Sequence, residues 1–451
     1  MKRYDSYKDS GVEWIGKIPS GWKRTKLHIL KCSGEIDYQD GNHGSVHPKS
    51  EDFIENGIPF LRPTDVFQNY ISKEKLKYIP EEYVKKLRIG FTKQGDIIFV
   101  NRGNIGTTTI LTGFENFTNV IINPQLTYIR TKEKLVNSNY LFYQTQSDVF
   151  QSNRDLKLGN GSVLNFLGLS DLGDYEMVIP PLSEQQQIVS FLDTKTSLID
   201  SLIEKTQRKI ELLKEKRTSL INEVVTKGLN PNVEMKDSGV EWIGEIPSGW
   251  EFVRIGHLNR VVRGGSPRPS GDPRFFNGDF IHWITVKDIT SKTGKYVTTT
   301  DTKLTEEGMK QSRVLEPETL VLTNSGVTLG IPGILKIRGC INDGSVSFLD
   351  MSPKIERDYL YYFWTTQTEL LLEQQSGYGQ PNLNIEIVSN VRLPLPPLSE
   401  QQQIVEYLDE QTQLMDKTIS IEEKRIELLK EYRQSLISEV VTGKLKVTTD
   451  E

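Results

Sequence analysis

The sequence lacks what several classes of protein require, and it is poor in cysteine and histidine. Its 451 residues include two cysteines, Cys32 and Cys340, and five histidines. We therefore expect neither a disulfide framework nor a zinc site. No run approaches the ~20 apolar residues of a membrane helix, and the first residues lack the apolar core of a secretory signal. These absences predict a cytoplasmic protein, and the length predicts about two to four domains.

Sequence motifs of catalysis are also absent. Asn123 opens the segment NPQL, which differs from the NPP-aromatic pattern of adenine methyltransferases. No glycine-rich cofactor fingerprint follows a strand-like run, and there is no GxxxxGK phosphate loop. The acidic segment from Asp171 to Asp174 lacks the lysine spacing of a restriction nuclease core. We expect no catalytic residue, metal or cofactor in this chain.

The charge of the whole chain does not by itself suggest nucleic-acid binding. Lysine and arginine number 55 against 60 acidic residues, a formal net charge of −5. Affinity for phosphates depends on where the cations lie and not on their total. Composition therefore neither predicts nor excludes a nucleic-acid partner.

The strongest feature that is present is an internal repeat. KDSGVEWIGKIPSGW from Lys8 and KDSGVEWIGEIPSGW from Lys236 agree at 14 of 15 positions, at an offset of 228 residues. PPLSEQQQIVSFLD from Pro180 returns as PPLSEQQQIVEYLD from Pro396, at an offset of 216. The chain therefore consists of two half-molecules, and the difference between the offsets makes the second variable block 12 residues shorter.

Between the repeated segments the two halves diverge. Residues 23–178 and 251–393 share little beyond a few loop fragments. A retained frame with unlike inserts predicts that each insert recognises something different. The alternative is two merely diverged domains on a repeated frame.

Each half also predicts a long helix. Two prolines precede Ser183, which we expect to cap the helix, with Gln186 in a capping-box position. No proline or glycine interrupts the 45 residues from Ser183 to Lys227, a length of about 67 Å at ~1.5 Å per residue. Apolar residues recur at steps of three and four, at Leu192, Ile199, Ile203, Ile210, Leu213, Leu220 and Val224 and again at Leu408, Met415, Ile419, Ile426, Leu429, Leu436 and Val440.

Neither helix buries such a stripe alone, so we expect the two copies to pack on each other. Thr206 and Arg217, with their counterparts Glu422 and Arg433, interrupt both stripes at corresponding places. Chain order and the pseudo-twofold repeat favour an antiparallel pair with a globular block at each end. The alternative is two separate helices, each packed on its own domain.

The variable blocks carry matched strands and loops. GDIIFV from Gly95 and TLVLT from Thr319 predict strands, followed by the loops NRGNIGTT and NSGVTLG. GIPFLRPTDV and DFIHWITVKDI correspond earlier in the blocks, and GNGSVLNF and GYGQPNLNI correspond late in them. These segments are rich in residues that approach phosphate oxygens and base edges closely and donate to them.

Arginine pairs bidentately with guanine, and asparagine or glutamine with adenine. The candidate DNA contacts are therefore Arg62, Thr64, Asn101, Arg102, Asn104, Lys157, Asn160 and Asn165 in the first block, and Ser266, Arg268, Thr285, Lys287, Asn324, Gln380 and Asn382 in the second. For each of them the alternative is a plain turn or, for Lys287 beside Asp288, a surface ion pair.

With the repeated frame in view, the chain resembles specificity subunits of Type I restriction-modification systems. The resemblance rests on the doubled PPLSEQQQIV, on DSGVEWIG-IPSGW before each variable block, and on GGSPRPS from Gly264 with the aromatic-rich run that follows it. It covers nearly the whole chain. It implies an α+β fold in which two mixed α/β target recognition domains are joined by two long helices forming an antiparallel coiled coil. The expected divisions are 1–178 and 231–393 for the recognition domains with their repeated segments, and 179–230 and 394–451 for the helices.

The resemblance also implies a targeting subunit that is not an enzyme. In this family each recognition domain reads one half of a bipartite sequence in double-stranded DNA, and the helices act as a ruler for the spacer. The implied partners are two modification subunits, which hold S-adenosylmethionine and methylate adenine, and restriction subunits that use ATP and Mg. Because the two blocks differ, we expect unlike half-sites. Ser325 stands opposite Arg102, which is a departure between the two loops.

Two other classes of protein remain open at this point. A two-headed coiled-coil adaptor that binds proteins explains the helices but not the polar loops at matched places. A methyltransferase fused to its own reader would need a cofactor motif, and the sequence has none.

Overall fold

The computed structural model describes residues 2–158, 166–241, 243–292, 294–324, 328–368 and 383–447. The chain forms two compact units. Unit 1 consists of residues 1–206 and 424–451, and unit 2 of residues 207–423. The boundary crosses both long helices, so each unit combines one globular block with a part of each helix.

Unit 1 contains fourteen strands and five short helices among its described residues. They are β1 (Tyr7–Asp9), β2 (Lys17–Pro19), β3 (Lys23–Lys26), β4 (Ile36–Asp40), β5 (Ile58–Leu61), β6 (Val66–Phe67), β7 (Tyr70–Ile71), β8 (Lys77–Ile79), β9 (Phe91–Thr92), β10 (Ile97–Val100), β11 (Thr108–Ile110), β12 (Val120–Ile122), β13 (Leu126–Thr131) and β14 (Glu176–Ile179), with α1 (Leu27–Cys32), α2 (Glu81–Val84), α3 (Ser138–Thr145), α4 (Asp148–Leu158) and α5 (Leu169–Gly173). The long helix α6 (Leu182–Lys227) follows.

Unit 2 repeats this order. Its strands are β15 (Met235–Asp237), β16 (Glu245–Pro247), β17 (Glu251–Arg254), β18 (Arg260–Arg263), β19 (Phe276–Ile284), β20 (Tyr296–Val297), β21 (Thr302–Leu304), β22 (Arg313–Leu315), β23 (Leu320–Thr323), β24 (Pro332–Leu335), β25 (Gly339–Ile341), β26 (Ser345–Leu349) and β27 (Arg392–Leu395). Its helices are α7 (Val286–Thr290), α8 (Glu306–Lys310), α9 (Arg357–Thr365) and α10 (Ile385–Asn390), before the second long helix α11 (Leu398–Val441).

The two globular blocks share one topology although their sequences diverge. In unit 1 one sheet has the order β11-β10-β13-β4 and the other β8-β5-β12-β9, with β5 and β12 parallel. In unit 2 the corresponding orders are β24-β23-β26-β18, extended by β20, and β21-β19-β25-β22, with β19 and β25 parallel. The predicted strands GDIIFV and TLVLT are confirmed as β10 and β23, which hold the same place in the two units.

Burial on both faces explains why these central strands are continuous apolar runs. Ile97 and Phe99 of β10 join the core formed with the helices, whereas Ile98 joins the core between the two sheets. In β23, Leu320 joins the core formed with the helices and Val321 the core between the sheets.

The predicted antiparallel pairing of the long helices is confirmed within each unit. In unit 2, Lys209 Nζ lies 2.6 Å from Glu422 Oε1 and Arg217 Nε lies 3.1 Å from Asp416 Oδ1, so partner numbers fall along α11 as they rise along α6. In unit 1, Arg433 Nε lies 2.9 Å from Asp200 Oδ1. This pair stands at the 216-residue offset from the pair of Arg217 and Asp416.

The predicted apolar stripes form the seam, but the predicted helix start was one residue late. All fourteen stripe residues are buried or partly buried. The helix α6 begins at Leu182, and the carbonyl of Pro181 accepts hydrogen bonds from the backbone N–H groups of Glu184 and Gln185. Ser183 therefore lies inside the first turn. The carbonyl of Pro181, just before the helix, already accepts hydrogen bonds from backbone N–H groups of that turn.

The repeated sequence corresponds to repeated buried polar contacts. Trp22 Nε1 donates to Glu184 Oε2 at 3.0 Å, and Trp250 Nε1 donates to Glu400 Oε2 at the same distance. Leaving such a buried donor without its acceptor costs about 1–3 kcal/mol.

Buried glutamines make a second pair of equivalent contacts. Gln185 joins the start of α6 to Leu135 O and Pro180 O, and Gln401 joins the start of α11 to Lys354 O and Pro396 O. Loss of either amide would leave buried backbone groups unpaired. These contacts give a physical reason for the near-identity of the frame.

Candidate nucleic-acid interface

In unit 1 the strand ends place several predicted loops around one turn, residues 123–125. The N–H of Asn123 donates to Leu61 O at the end of β5, and the carbonyl of Gln125 accepts from the N–H of Asn101 at the end of β10. At the end of β4, Gly41 packs so closely on this turn that an added Cβ would lie 2.0 Å from Ile122 O. The segments that hold Arg62, Thr64 and Asn101 to Asn104 therefore converge at one edge, which we call loop edge 1.

Unit 2 builds the same arrangement around residues 342–344, and we call it loop edge 2. The N–H of Asn342 donates to Ile284 O at the end of β19, and the N–H of Asn324 donates to Gly344 O after β23. A Cβ on Gly264, after β18, would lie 2.0 Å from Asn342 O. The segments that hold Ser266, Arg268, Thr285, Lys287 and Asn324 converge here.

Two of the predicted contacts, Asn101 and Asn324, are buried. Asn101 is 1% exposed and donates through Nδ2 to Thr127 Oγ1 at 2.8 Å, and Asn324 is fully buried. Their carbonyls accept from the N–H groups of Leu167 and Leu383 at 2.9 and 2.7 Å. In this geometry both asparagines hold the late segment of the block against the central strand, and their side chains do not reach the surface.

Arg102 and Asn104, by contrast, are exposed. A backbone bridge joins Arg102 to Phe166, the last residue of GNGSVLNF. Among the described residues no ion pair holds the Arg102 guanidinium. It is the predicted arginine of loop edge 1 that is best placed for an external acceptor.

Arg62 is already paired inside unit 1. Its Nε and Nη2 donate to the two carboxylate oxygens of buried Asp65 at 3.0 and 2.7 Å, and Nη2 also donates to Lys75 O at 2.7 Å. Thr64 beside it is exposed. This corner lines a cleft of about 1060 Å³ together with Lys75, Lys77 and Phe67. A bidentate pair with a buried carboxylate stabilises the conformation of the loop, so Arg62 already has this structural role without a ligand.

Thr285 and Lys287 stand at the corresponding corner of unit 2. Thr285 binds Asp288 through both its N–H and its hydroxyl, at 2.8 and 2.6 Å, and so closes the start of α7. Lys287 is largely exposed and its Nζ lies 2.5 Å from Asp301 Oδ2, not from Asp288. The hydrogen bond that Lys287 donates to Asp301 raises the pKa of Lys287, so this cation remains charged at neutral pH.

Ser266 and Arg268 share one carboxylate. The hydroxyl of Ser266 donates to Asp343 Oδ1 at 2.7 Å, and Arg268 Nη2 donates to Asp343 Oδ2 at 2.9 Å. Arg268 is strongly exposed. Loop edge 2 therefore presents a guanidinium that a surface carboxylate orients.

The remaining predicted contacts lie on the late segments. Lys157, at the end of α4, pairs with Asp174 at 2.7 Å, and this contact lowers the pKa of the Asp174 carboxyl. Asn160, Asn165, Gln380 and Asn382 lie outside the described residues, as does Ser325.

Sequence reasoning missed two features near these edges. In unit 1, the short β6–β7 hairpin exposes Phe67 and Tyr70, whose rings stack in parallel with centroids 5.0 Å apart. In unit 2, Arg263 Nε donates to the backbone carbonyl of Asp343, and Arg313 Nε donates to the backbone carbonyl of Arg263. The pair of aromatics around Gln68-Asn69 is a hairpin signal, whereas nothing in the sequence places Arg313 beside Arg263.

No helix in the described part of the chain is long and apolar enough to cross a membrane. No group of three or more His, Cys, Asp or Glu side chains there is arranged to hold a metal ion.

Comparison with known proteins gives the family. The family described as "Type I restriction modification DNA specificity domain" matches residues 40–212 and 247–431. The putative type I restriction enzyme MjaX specificity subunit of Methanocaldococcus jannaschii is 24% identical over 447 residues, which cover 96% of each chain.

Solved structures agree on the fold. A chain from a study of complex assembly and conformational transition of the type I R-M system superposes with a TM-score of 0.71 at 17% identity, covering 95% of this chain and 99% of that one. The HsdS subunit from Thermoanaerobacter tengcongensis gives a TM-score of 0.52 at 17% identity, covering 95% and 98%. With both halves of the repeat matched, the chain belongs to the family of type I restriction-modification specificity subunits.

Proposed function

We propose that this chain is the DNA-reading subunit of a type I restriction-modification complex, in which each unit reads one half of a bipartite target. The observation that carries the proposal is the contrast within the repeat. Two blocks that share the order of eight corresponding strands present unlike loops at equivalent edges, on a frame with equivalent buried contacts. Loop edges 1 and 2 therefore recognise different half-sites, and chemistry comes from partner subunits.

The functional division we propose follows the repeat. Residues 1–178 and 231–393 are the two target recognition domains, and residues 179–230 and 394–451 are the helices that set the spacer between half-sites. A change of helix length by one turn in both copies would then alter the spacer and leave the half-sites as they are. An unchanged spacer preference in that variant rejects the ruler.

The helices also carry a candidate surface for the partners. Leu198 and Leu212 on α6 return as Leu414 and Leu428 on α11, at the 216-residue offset, and all four are exposed. Unit 1 therefore exposes Leu198 and Leu428, and unit 2 exposes Leu414 and Leu212.

Leu198 and Leu414 lie away from the hydrogen bonds that attach each helix to its block. Asp193 and its counterpart Asp409 accept hydrogen bonds from Tyr143 and Tyr362 of the blocks. At 3.6 residues per turn, Leu198 lies on the opposite side of α6 from Asp193 and Asp200. Because the exposed stripe occurs twice, it fits two copies of the same partner, and we assign it to two modification subunits.

In this assembly S-adenosylmethionine belongs to the modification subunits, and ATP and Mg belong to restriction subunits. The two-headed adaptor that binds only proteins is the weaker candidate, since it leaves the guanidinium groups of both loop edges without a function.

The test is a pull-down of the tagged chain from its host, together with a genome-wide map of methylated adenine. We expect recovery of a methyltransferase, and methylation at a split motif that disappears when the gene is deleted. Recovery of no methyltransferase with an unchanged map would favour the adaptor. Leu198→Asp with Leu414→Asp should abolish the recovery, while Lys205→Asp, on the same helix, serves as a charge control.

A further inference from the structure

Three arginines of unit 2 gather at loop edge 2. Arg263 ends β18, Arg313 begins β22, and Arg268 lies in the loop after β18. Arg263 Nε donates to the carbonyl of Asp343 at 2.8 Å, Arg313 Nε donates to the carbonyl of Arg263 at 2.8 Å, and Arg268 Nη2 reaches the Asp343 carboxylate. All three are exposed, and only Arg268 among them pairs with the Asp343 carboxylate.

The backbone contacts orient two of these side chains for an external ligand. Arg263 and Arg313 each use Nε alone, so the terminal nitrogens of both guanidinium groups have no partner among the described residues. A guanidinium fixed at Nε presents its two terminal N–H groups as a planar fork. The matching ligand carries two acceptor atoms side by side, as phosphate oxygens and the O6 and N7 atoms of guanine do.

The support beneath the cluster is closely packed. Gly264 and Gly265 donate through their N–H groups to Ser345 O and Ile341 O, both at 3.0 Å. The hydroxyl of Ser312 donates to Gly265 O at 2.6 Å. No side chain fits on Gly264, because its Cβ would meet Asn342 O at 2.0 Å. The loop therefore holds the arginines at a fixed place, as precise recognition requires.

The equivalent place in unit 1 has different chemistry. Gly41 packs on its turn as Gly264 does, but the residues around it are Asp40 and His43, which pair at 2.7 Å. The arginine cluster is thus a property of one half of the repeat.

We propose that Arg263, Arg268 and Arg313 form a DNA clamp that binds paired acceptors, either phosphate oxygens or the O6 and N7 edge of guanine, in the half-site read by unit 2. The clamp rests on the proposed function. In the free protein Arg268 pairs with Asp343, and this ion pair breaks when a DNA acceptor binds the Arg268 guanidinium.

The experiment measures binding of the full chain to a short mixed-sequence DNA duplex by fluorescence anisotropy, as the NaCl concentration rises. The double variant Arg263→Gln/Arg313→Gln is compared with Arg260→Gln, which lies on the same strand but pairs with Asp350 at 2.5 Å. Loss of two phosphate contacts lowers the slope of log K against log salt by about 2, since each contributes roughly 0.9. Loss of a guanine contact instead lowers the specificity at one guanine position of the motif methylated in the host, with a roughly 5- to 100-fold loss of discrimination.

Either result supports the clamp and identifies its acceptor. If the double variant matches Arg260→Gln in both the salt slope and the motif, the clamp is wrong while DNA reading stands. If the unaltered chain binds no duplex and its deletion leaves the methylation map unchanged, the proposed function itself fails. Asp343→Asn gives an opposite signal, because release of Arg268 should tighten binding to the mixed-sequence duplex several-fold, which a folding defect would not do.

Discussion

The two units attach their globular blocks to the helix pair through different contacts. In unit 1, Gln434 Nε2 donates to Gln146 O and Asp148 Oδ1 at 2.7 and 2.9 Å, and Ser438 Oγ accepts from the N–H of Asp148 at 2.9 Å. The contacts are neutral or singly charged and run through the start of α4.

In unit 2 the attachment is ionic. Lys295 Nζ lies 2.5 Å from Asp358 Oδ1 and 2.7 Å from Asp409 Oδ1, with the Lys295 and Asp358 side chains nearly buried. The tyrosine contacts to Asp193 and Asp409 are common to both units, so the difference lies in the residues that each variable block supplies. The repeated frame therefore fixes the position at which a block attaches, and the residues of the variable block determine which contacts attach it.

The largest effect is expected for Lys295→Met. It leaves Asp358 with Arg357, 2.5 Å away, as its remaining cation. Breaking a buried pair costs roughly 3–5 kcal/mol, and we expect the lower end here because Arg357 still compensates Asp358 and because Asp409 is partly exposed. Hydrogen-exchange mass spectrometry should show loss of protection in unit 2 and normal protection in unit 1. Equal loss in both units would mean that the attachments are not independent.

A second test asks whether the two loop edges act separately. Arg102→Ala should weaken recognition of one half-site and Lys287→Ala of the other, each by roughly 5- to 100-fold if a base contact is lost. The readout is the methylation motif in the host carrying each variant. An equal loss at both halves for either variant contradicts independent readers.

Replacement of the frame tyrosines should, in contrast, affect both units alike. The hydroxyl of Tyr140 lies 2.8 Å from Val178 O and 3.1 Å from Val441 O, and that of Tyr359 lies 2.9 Å from Val225 O and 2.8 Å from Pro394 O. Each Tyr→Phe change removes the hydroxyl donor from two buried carbonyls, at a cost of about 1–3 kcal/mol, although Val178 O keeps a second donor in Gln144 Nε2. Urea unfolding of the two single variants should give losses that agree within experimental error, and a clear inequality would show that the repeated frame is not energetically equivalent.

The last test concerns pH and the repeat-related arginines Arg217 and Arg433, whose surroundings differ. Arg433 has the neutral Gln146 as neighbour, whereas burial and the nearby Arg217 lower the pKa of Lys292 to about 8. Between pH 8 and the ordinary lysine pKa of about 10.4, the unfolded chain binds this proton and the folded chain does not. Stability of unit 2 should therefore rise with pH across that window.

Lys292→Met removes this rise, because the residue no longer titrates. Unfolding free energies measured at the two ends of the window, for the unaltered chain and the variant, provide the check. An identical pH dependence in both would assign the rise to other groups.

Much of the fold followed from pattern alone. The stripes from Leu192 to Val224 and from Leu408 to Val440 predicted the seam, because a heptad period has few other uses in a soluble chain. The strands β10 and β23 were recognisable from continuous apolar runs. Within unit 1 the loop after β10 lies at the same edge as the other predicted loops, and within unit 2 the end of β23 does. The antiparallel direction followed from chain order.

The residues of the candidate site were harder to predict from the sequence. Asn101 and Asn324 have the residue type of a base reader, yet both are buried. Burial at a strand end depends on residues distant in the chain, here Leu167 and Leu383, whose N–H groups donate to the two asparagine carbonyls. Arg62 likewise has a bidentate partner in Asp65, three residues away. Arg313 gave no signal, since its proximity to Arg263 and Asp343 comes from sheet order and not from spacing along the chain.

The sequence by itself determined the duplication, the length and register of the helices, and the division into a retained frame and two divergent blocks, because those properties depend on periodicity and on identity between distant segments. Only the tertiary structure decided that the divergent blocks share one topology, which candidate side chains reach the surface, and which cations gather at a loop edge. The reason is that exposure and charge clustering depend on contacts between strands and loops far apart in the chain, and local pattern does not encode those contacts.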